Sequence, residues 1–348
     1  MSSSTIDGNY EQTGKSYHLY TLGALCNQAR NHDASFVGTD FSNWKKSNHF
    51  YSQSDGKLIG GATFATVNFL PIGRYGAGKV FKGSISGKQE QADGTYVRQF
   101  VRRRPGTVAV ASAIMQKYGI KVVPHVVVSG MTKEDLEYML LDLQFLGIKD
   151  ILVLRGDKAK DEPRFVAAKD GYSHATDLIE QVNMFNRGLF VDGTPIKTPG
   201  TPFSYGVAAY PEKHEEAPNP EFDLEILKRK QDMGADYAVT QIFYDNNKYF
   251  DFVDKARQAG ITMPIIPGIK PIAKMSQFNV LPKTFHLDLP ESLSKAMEQC
   301  KTDAEAKQVG IEWGIEQCRE LMSRGVPSIH FYTMGATDSI KEIAKAVY

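Results

Sequence analysis

The stretch KVVPHVVVSGMTKEDLEYMLLDLQFLGIKDILVLRGD, residues 121–157, decides the fold class. It begins with a β-branched apolar run, continues with an amphipathic segment and returns to a second apolar run at Asp150. Thr132 and Asp135 match a loose capping box before the amphipathic segment, and Gly147 is a typical helix stop. The stretch therefore predicts a strand–helix–strand unit with two parallel strands.

The same alternation continues towards the C-terminus. Four more apolar runs follow at spacings of mostly about 30 residues: FSYGVAAYPE from Phe203, ADYAVTQIFYD from Ala235, MPIIPGIKPI from Met263 and VPSIHFYTMG from Val326. Helical patterns lie between them, including one from Asp223 to Gly234, one inside a long excursion at 158–202 and two within 282–325. Such units form either an open doubly wound sheet or a closed barrel. We favour a (β/α)8 TIM barrel, because the unusual residues are concentrated where the strands end.

The first 85 residues differ from the rest of the chain. They are rich in Ser, Thr, Gly and Asn and show no strand–helix alternation. Gly73 to Lys79 spells GxxxxGK, but Val80 replaces the Ser or Thr of a P-loop and no apolar strand precedes it, so an ATP site is a weak alternative. We predict an atypical N-terminal segment at 1–85 and a barrel catalytic domain at 86–348.

Composition narrows the class of partner. Lys and Arg number 41 against 40 Asp and Glu, so no overall charge favours nucleic acid or an anionic membrane. The three cysteines, Cys26, Cys300 and Cys318, have no CxxC spacing, which argues against a disulfide framework or a metal site. The N-terminus lacks a signal-peptide pattern and no apolar run is long enough to cross a bilayer. We expect a soluble, cytoplasmic protein that binds small molecules.

Polar residues follow several predicted strands directly. Arg155, Gly156 and Asp157 end one strand, and Tyr210, Glu212 and His214 follow the next; Gln241 and Asp245 follow the third. Each residue alone is more often structural, since a short RGD is usually a surface turn. Because the C-terminal ends of parallel strands in a barrel meet at one face, the combination indicates a binding site.

Six motifs resemble, in order, those of the methylenetetrahydrofolate reductase family, bacterial type. This chain has PHVVV, VLRGD, AAYPEKHEEA, VTQIFYD, IIPGI and IHFYTMG where the family has PHLTC, ALRGD, AAYPEGHPEA, ITQFFFD, IIPGI and FHFYTLN. The resemblance extends from about Val101 to the C-terminus. It implies a β8α8 barrel that holds FAD, in which NAD(P)H reduces the flavin and 5,10-methylenetetrahydrofolate then takes the hydride to become 5-methyltetrahydrofolate, for methionine synthesis. It also implies a homo-oligomer.

The resemblance implies a role for each matching residue. Asp157 is the expected reactive group, which tunes the flavin and reaches the pterin. Gln241 is expected to contact folate and nicotinamide in turn. Residues expected beside the flavin are His125, Leu154, Arg155, Gly156, Asp157, His174 and Ala175, where His174 replaces a family tyrosine. Residues expected at the adenosine and ribose are Ala208, Tyr210, His214 and Ala217. Those expected at the phosphates, at or near the start of a helix, are Asp223, Arg229 and Lys230.

The chain departs from the family in two places. The family's first strand, approximately FEFFPP, supplies a general-acid glutamate, and the nearest string here, VNFLPI at 67–72, has Asn68 instead. A family-like YGAGK at 75–79 follows too soon to be a second strand. Near the folate tail, Gly335 and Ala336 replace Asn and Arg. The alternatives are an impaired FAD- or folate-binding homologue that lacks the acid, and an unrelated aldolase with Lys270 as Schiff-base lysine.

Overall fold

The computed structural model describes residues 106–118, 121–158, 164–333 and 337–348, and the backbone of five short strands before them. Those strands are β1 (His49–Tyr51), β2 (Leu58–Gly61), β3 (Phe64–Val67), β4 (Lys88–Glu90) and β5 (Tyr96–Arg98). β1 pairs antiparallel with β2, and β4 pairs antiparallel with β5. The interpretations of Asn68, YGAGK, GxxxxGK, Gly335 and Ala336 fall outside the described residues.

The chain forms two compact units. The first contains residues 122–207 and most of α1 (Thr107–Tyr118). Its other elements are β6 (Lys121–Val127), α2 (Lys133–Phe145), β7 (Asp150–Leu154), α3 (Ala175–Asn186) and most of β8 (Ser204–Ala209). β6 pairs parallel with β7, and β7 pairs parallel with β8. The strand–helix–strand unit predicted from residues 121–157 is therefore confirmed.

The second unit contains residues 208–348. Its elements are α4 (Pro220–Asp232), β9 (Tyr237–Ile242), α5 (Asn246–Gln258), β10 (Ile265–Ile269), α6 (Met275–Phe285), α7 (Glu291–Gln299), α8 (Asp303–Ser323), β11 (His330–Phe331) and α9 (Thr337–Val347). β10 pairs parallel with β9 on one side and with β11 on the other. The parallel α/β class is thus confirmed, whereas closure into eight strands stays a prediction.

Local sequence explains how α2 begins and ends. The Thr132 hydroxyl accepts a hydrogen bond from the Asp135 amide at 3.0 Å, and the Asp135 carboxylate accepts one from the Thr132 amide at 3.2 Å. These two bonds form the predicted capping box. Gly147, at φ 73°, ends the helix in the left-handed conformation that glycine adopts without strain. Leu136, Leu140 and Leu143 are fully buried, so this helix covers the sheet with its apolar face.

The long segment between β7 and β8 is stabilised by polar contacts within it. It contains α3, as predicted, and a short bridge between Leu189 and Pro195. The Asn186 side chain bonds both backbone groups of Phe203, donating at 2.9 Å and accepting at 2.7 Å. This amide clamp fixes the start of β8 and hence the position of the residues that follow it. None of the described helices combines the length and apolarity needed to cross a membrane.

Candidate functional site

The end of β7 forms the first candidate group. The Val128 and Ser129 amides donate to the carbonyls of Leu154 and Arg155 at 3.1 and 3.0 Å, so the parallel ladder continues past the strand. Gly156 has φ 85°, a conformation that favours glycine and turns the chain sharply. The Arg155 guanidinium lies 4.8 Å from the Phe165 ring centre, a cation–π contact. Asp157 is exposed, and its backbone oxygen accepts from Ser129 Oγ at 3.4 Å.

Three further predicted residues of this unit lie on neighbouring elements. His125 is buried in β6, opposite Leu152 of β7. His174 is the N-cap of α3, where its amide donates to the Asp177 carboxylate at 3.0 Å and its ring is exposed. Ala175 is the first residue of that helix and is half-buried. The first amides of a helix and its positive dipole end generally suit an anionic group.

The loop after β8 forms the second candidate group, in the other unit. The rings of Tyr210 and His214 meet edge to face, with centroids 4.7 Å apart. His214 Nδ1 accepts from the Glu216 amide at 3.2 Å, which puts the proton of the neutral ring on Nε2. The His214 amide donates to Asp223 Oδ2 at 2.8 Å, and burial raises the pKa of that carboxyl above its usual value. Ala217 is buried, and its carbonyl accepts from the Lys213 ammonium at 3.1 Å.

The placement of Arg229 and Lys230 at a helix start is wrong. α4 begins at Pro220 with Asn219 as its N-cap, so both cations lie in its last turn. Arg229 is exposed, whereas Lys230 is buried and donates to the Ala208 carbonyl at 3.1 Å. The prediction took Asp223 as the residue preceding the helix and overlooked the Asn-Pro start, a strong N-terminal signal. Only Asp223 lies near the start of the helix.

Gln241 lies near the end of β9 and Asp245 follows that strand, and the two side chains have different environments. Gln241 is half-buried near the end of β9, and its side-chain oxygen accepts from the Ile242 amide at 2.9 Å, which leaves its NH2 group for a ligand. Asp245 is the N-cap of α5 and accepts from the Asn247 amide at 2.9 Å. Asp245 therefore has a structural role that the sequence pattern alone did not separate from a binding role.

Glu212 is an acidic side chain with an unusual environment. Its Oε2 accepts from the Asp288 amide at 2.8 Å, while its buried Oε1 has no hydrogen-bond partner among the described residues. Burial raises the pKa of Glu212 to about 7, an effect that the negative charge of Asp288 reinforces and the hydrogen bond from the Asp288 amide opposes.

We expect Glu212→Gln to remove a pH-dependent part of the stability. Because the folded pKa lies above the ordinary value of 4.5, the native state binds the extra proton between pH 4.5 and about 7, and stability falls as pH rises through that window. Relative to the native protein, the variant should gain about 1 kcal/mol between about pH 5 and pH 8, a figure reduced for partial exposure. Urea unfolding at the two pH values measures this gain. The matched control is Glu225→Gln on the exposed side of α4, and an equal gain there would contradict the assignment.

A match to a known protein family extends over the segments that carry the candidate groups. The family model for methylenetetrahydrofolate reductase matches residues 92–348. The chain belongs to the methylenetetrahydrofolate reductase family. The match begins a few residues after the boundary predicted at residue 86, and the division at 85 stays a prediction. Family membership explains why the motifs that contain the candidate groups occur in the same order as in the family.

Curated relatives agree with this membership. Methylenetetrahydrofolate reductase (NADH) 1 of Zea mays is 32% identical over 243 residues, which cover 67% of this chain and 39% of that protein. A probable methylenetetrahydrofolate reductase (NADPH) of Caenorhabditis elegans is 34% identical, covering 69% and 34%. The 5,10-methylenetetrahydrofolate reductase of Salmonella typhimurium is 32% identical, covering 68% and 73%. The chain thus matches about two fifths of the plant relative's length and most of the bacterial one.

Among solved structures, a Clostridium thermocellum protein that binds two copies of 5-methyl-5,6,7,8-tetrahydrofolic acid superposes with a TM-score of 0.48 at 11% identity. The superposition covers 97% of this chain and 96% of that one. Over the residues that the structure describes, no group of three His, Cys, Asp or Glu side chains is arranged to hold a metal ion.

Sequence reasoning missed Lys213, and it named Asp223 and Lys230 for the phosphates and not as residues that shape the β8 loop. Lys213 and Asp223 fix its backbone from opposite ends, and Lys230 anchors the carbonyl at the end of the strand. In the sequence these three residues are visible only as charged residues near a strand end, and such residues are common on any protein surface. Lys270 was considered as a strand-tip lysine, and the structure places it directly after β10 with its side chain 2% exposed.

Proposed function

We propose that this chain is an FAD-dependent reductase that uses NAD(P)H to convert 5,10-methylenetetrahydrofolate to 5-methyltetrahydrofolate. The observation that carries the proposal is the end of β7, where an exposed aspartate follows a left-handed glycine in a member of this family. Exposure lets a carboxylate contact a ligand, and the glycine lets the backbone approach a flat ring. The relatives named for NADH and for NADPH leave both nucleotides as candidates.

Each unit by itself presents groups that suit part of an FAD molecule. The edge-to-face rings of Tyr210 and His214 offer an apolar surface to an adenine. The start of α3, at Ala175, offers amides to an anionic group, and Gly156, at φ 85°, has no side chain to keep a flat ring away from the backbone. Bound FAD would supply the hydride chemistry. The role of Arg229 and Lys230 at the FAD phosphates is supported by the resemblance to the family and not by a helix start.

The side chains of the site have separate tasks in this proposal. Asp157 holds a negative charge beside the bound ligands and sets the proton affinity of its surroundings. Gln241 donates from its NH2 group, which suits the carboxamide or pterin groups of two successive ligands. His125 is buried in β6 opposite Leu152 of β7, where it would help to hold the flavin end of a bound FAD. We assign no residue of this chain to the general acid of the family. That the enzyme is homo-oligomeric and cytoplasmic stays our prediction.

An anaerobic absorbance experiment on the full chain tests the proposal. The flavin spectrum is recorded first, NADH or NADPH is added, and methylenetetrahydrofolate follows. We expect the flavin band to bleach with the nucleotide and to recover with the folate. Bleaching without recovery supports the impaired homologue that lacks the acid. If no flavin copurifies and added FAD does not bind, the proposal is overturned.

A further inference from the structure

Two contacts join the β8 loop, residues 210–217, to the segment 286–288, which follows α6. Glu212 Oε2 accepts a hydrogen bond from the Asp288 amide at 2.8 Å. His286 Nε2 lies 3.4 Å from Glu215 Oε2, and the two side chains form an ion pair when the imidazole is protonated. Both contacts connect the same two segments of the second unit. Together they form a clasp on the β8 loop.

The segment 286–288 is the fixed side of this clasp. Leu287 is buried in a cluster of apolar residues that α6, α7 and α8 contribute. The Asp288 carboxylate lies 3.5 Å from the ammonium of Lys248, on α5. His286 ends α6 in the left-handed conformation, at φ 53°. The β8 loop is therefore held against a segment that the core of the unit fixes in place.

The other side of the clasp carries the surface that the proposed function assigns to an adenine. Tyr210 and His214, whose rings meet edge to face, precede and follow Glu212 in the sequence. The family motif AAYPEGHPEA has a proline where this chain has Glu215, so the ion pair with His286 is a feature of this chain and not of the motif. The clasp therefore acts directly on the proposed cofactor surface.

The clasp weakens as pH rises. Burial raises the pKa of Glu212 to about 7, and the negative charges of Asp288 and Asp245 add to this effect. The hydrogen bond from the Asp288 amide and the charge of Lys248 favour the ionised carboxyl, but burial outweighs both. Above about pH 7 ionisation therefore favours a loop that exposes this carboxyl. A histidine ordinarily loses its charge near pH 6.5, which removes the cation paired with Glu215 in the same pH range.

We propose that Glu212, Glu215 and His286 are positioning residues, which hold the β8 loop and its cofactor surface in place most firmly below neutral pH. The proposal rests on the proposed FAD-dependent function, because it assigns this loop to the adenine of FAD. A loop that is already in place binds a ligand more tightly than one that must first be ordered. The affinity for FAD should therefore fall as the clasp loosens.

The affinity for FAD at about pH 6 and about pH 8 tests the link to the cofactor. Quenching of flavin fluorescence, on the full chain freed of any bound flavin, gives Kd at each pH. In the native chain Kd should rise about fivefold from the lower to the higher pH, because the loop is in place for a smaller fraction of the time. Glu212→Gln should remove at least half of this rise, and the double variant with His286→Gln nearly all of it. Glu225→Gln, on the exposed side of α4, is the matched control and should show the full rise.

Hydrogen exchange of the same chains without FAD tests the clasp itself. Protection of residues 210–217 and 286–288, corrected for the intrinsic effect of pH on exchange, should fall between about pH 6 and about pH 8 in the native chain. The double variant should show no such fall, and Glu215→Gln takes the place of His286→Gln if that variant does not fold. Equal protection of the native chain at both pH values, or an undiminished fall in the double variant, would overturn the proposal.

The two measurements separate this proposal from the proposed function. A chain that binds no FAD at either pH contradicts the proposed function, whereas the exchange experiment still decides whether the clasp exists. If the exchange shows the clasp loosening but Kd for FAD is the same at both pH values, the three residues hold the loop without positioning the cofactor. That outcome also overturns the proposal.

Discussion

Gly310→Ala should destabilise the protein by about 3–5 kcal/mol. The same substitution inside a helix normally stabilises by about 1 kcal/mol, because alanine has the higher helix propensity. The sign reverses here because an alanine Cβ would overlap the carbonyl oxygen of Ile272, and its backbone nitrogen and carbon are also close. Backbone atoms between β10 and α6 cannot rotate away as a side chain does. The helix α8 would have to move, which would loosen its contacts with Phe243 and Tyr244.

The neighbouring glycine of α8 provides a matched control. A Cβ at Gly314 would lie 2.6 Å from Ile343 Cδ1, the far end of a flexible side chain that can shift to another rotamer. Gly314→Ala should therefore change the free energy of unfolding by less than about 1 kcal/mol. Urea unfolding of both variants measures the difference. Similar stabilities for the two would show that α8 does not approach Ile272 as closely as the structure has it.

Local signals in the sequence were sufficient for α2 and for the two strands that flank it. The capping box of Thr132 and Asp135 and the stop at Gly147 depend only on residues within one helix, so their pattern predicted α2 from start to end. The β-branched runs likewise predicted where β6 and β7 lie, since burial on both faces requires continuous apolar residues. The family motifs then identified the strand tips as candidate ligand contacts.

Properties that depend on packing between distant segments could not be predicted in this way. Gly310 is ordinary in sequence, and its necessity arises from a carbonyl almost forty residues earlier in the chain. Lys270 looks like any strand-tip lysine, and its burial depends on α7 and α8. The error at Arg229 was of another kind, because the Asn219–Pro220 signal was local and available. The prediction began α4 too late in the sequence. It therefore placed Arg229 and Lys230 near the start of the helix, whereas they lie in its last turn.

Asp157→Asn should separate the two half-reactions of the proposed reductase. The amide keeps the size of the side chain but removes its negative charge, and the charge is the property that the proposal uses at the flavin and pterin. We expect reoxidation of the reduced flavin by methylenetetrahydrofolate to slow by about 100-fold, in the range usual for loss of a group that assists proton transfer. Reduction by NADH should change by less than about tenfold, because hydride transfer from the nucleotide requires no proton from this site.

Stopped-flow absorbance of the flavin, one half-reaction at a time, gives both rates for Asp157→Asn. Asp150→Asn is the matched control, because Asp150 is the first residue of β7, whereas Asp157 follows the other end of that strand. It should leave both rates within about twofold, since ligands bind at the C-terminal ends of parallel strands. Equal losses in both half-reactions of Asp157→Asn would mean that the residue only positions the flavin. Unchanged rates in both would exclude Asp157 from the chemistry, and the reactive group would then have to lie at another strand tip.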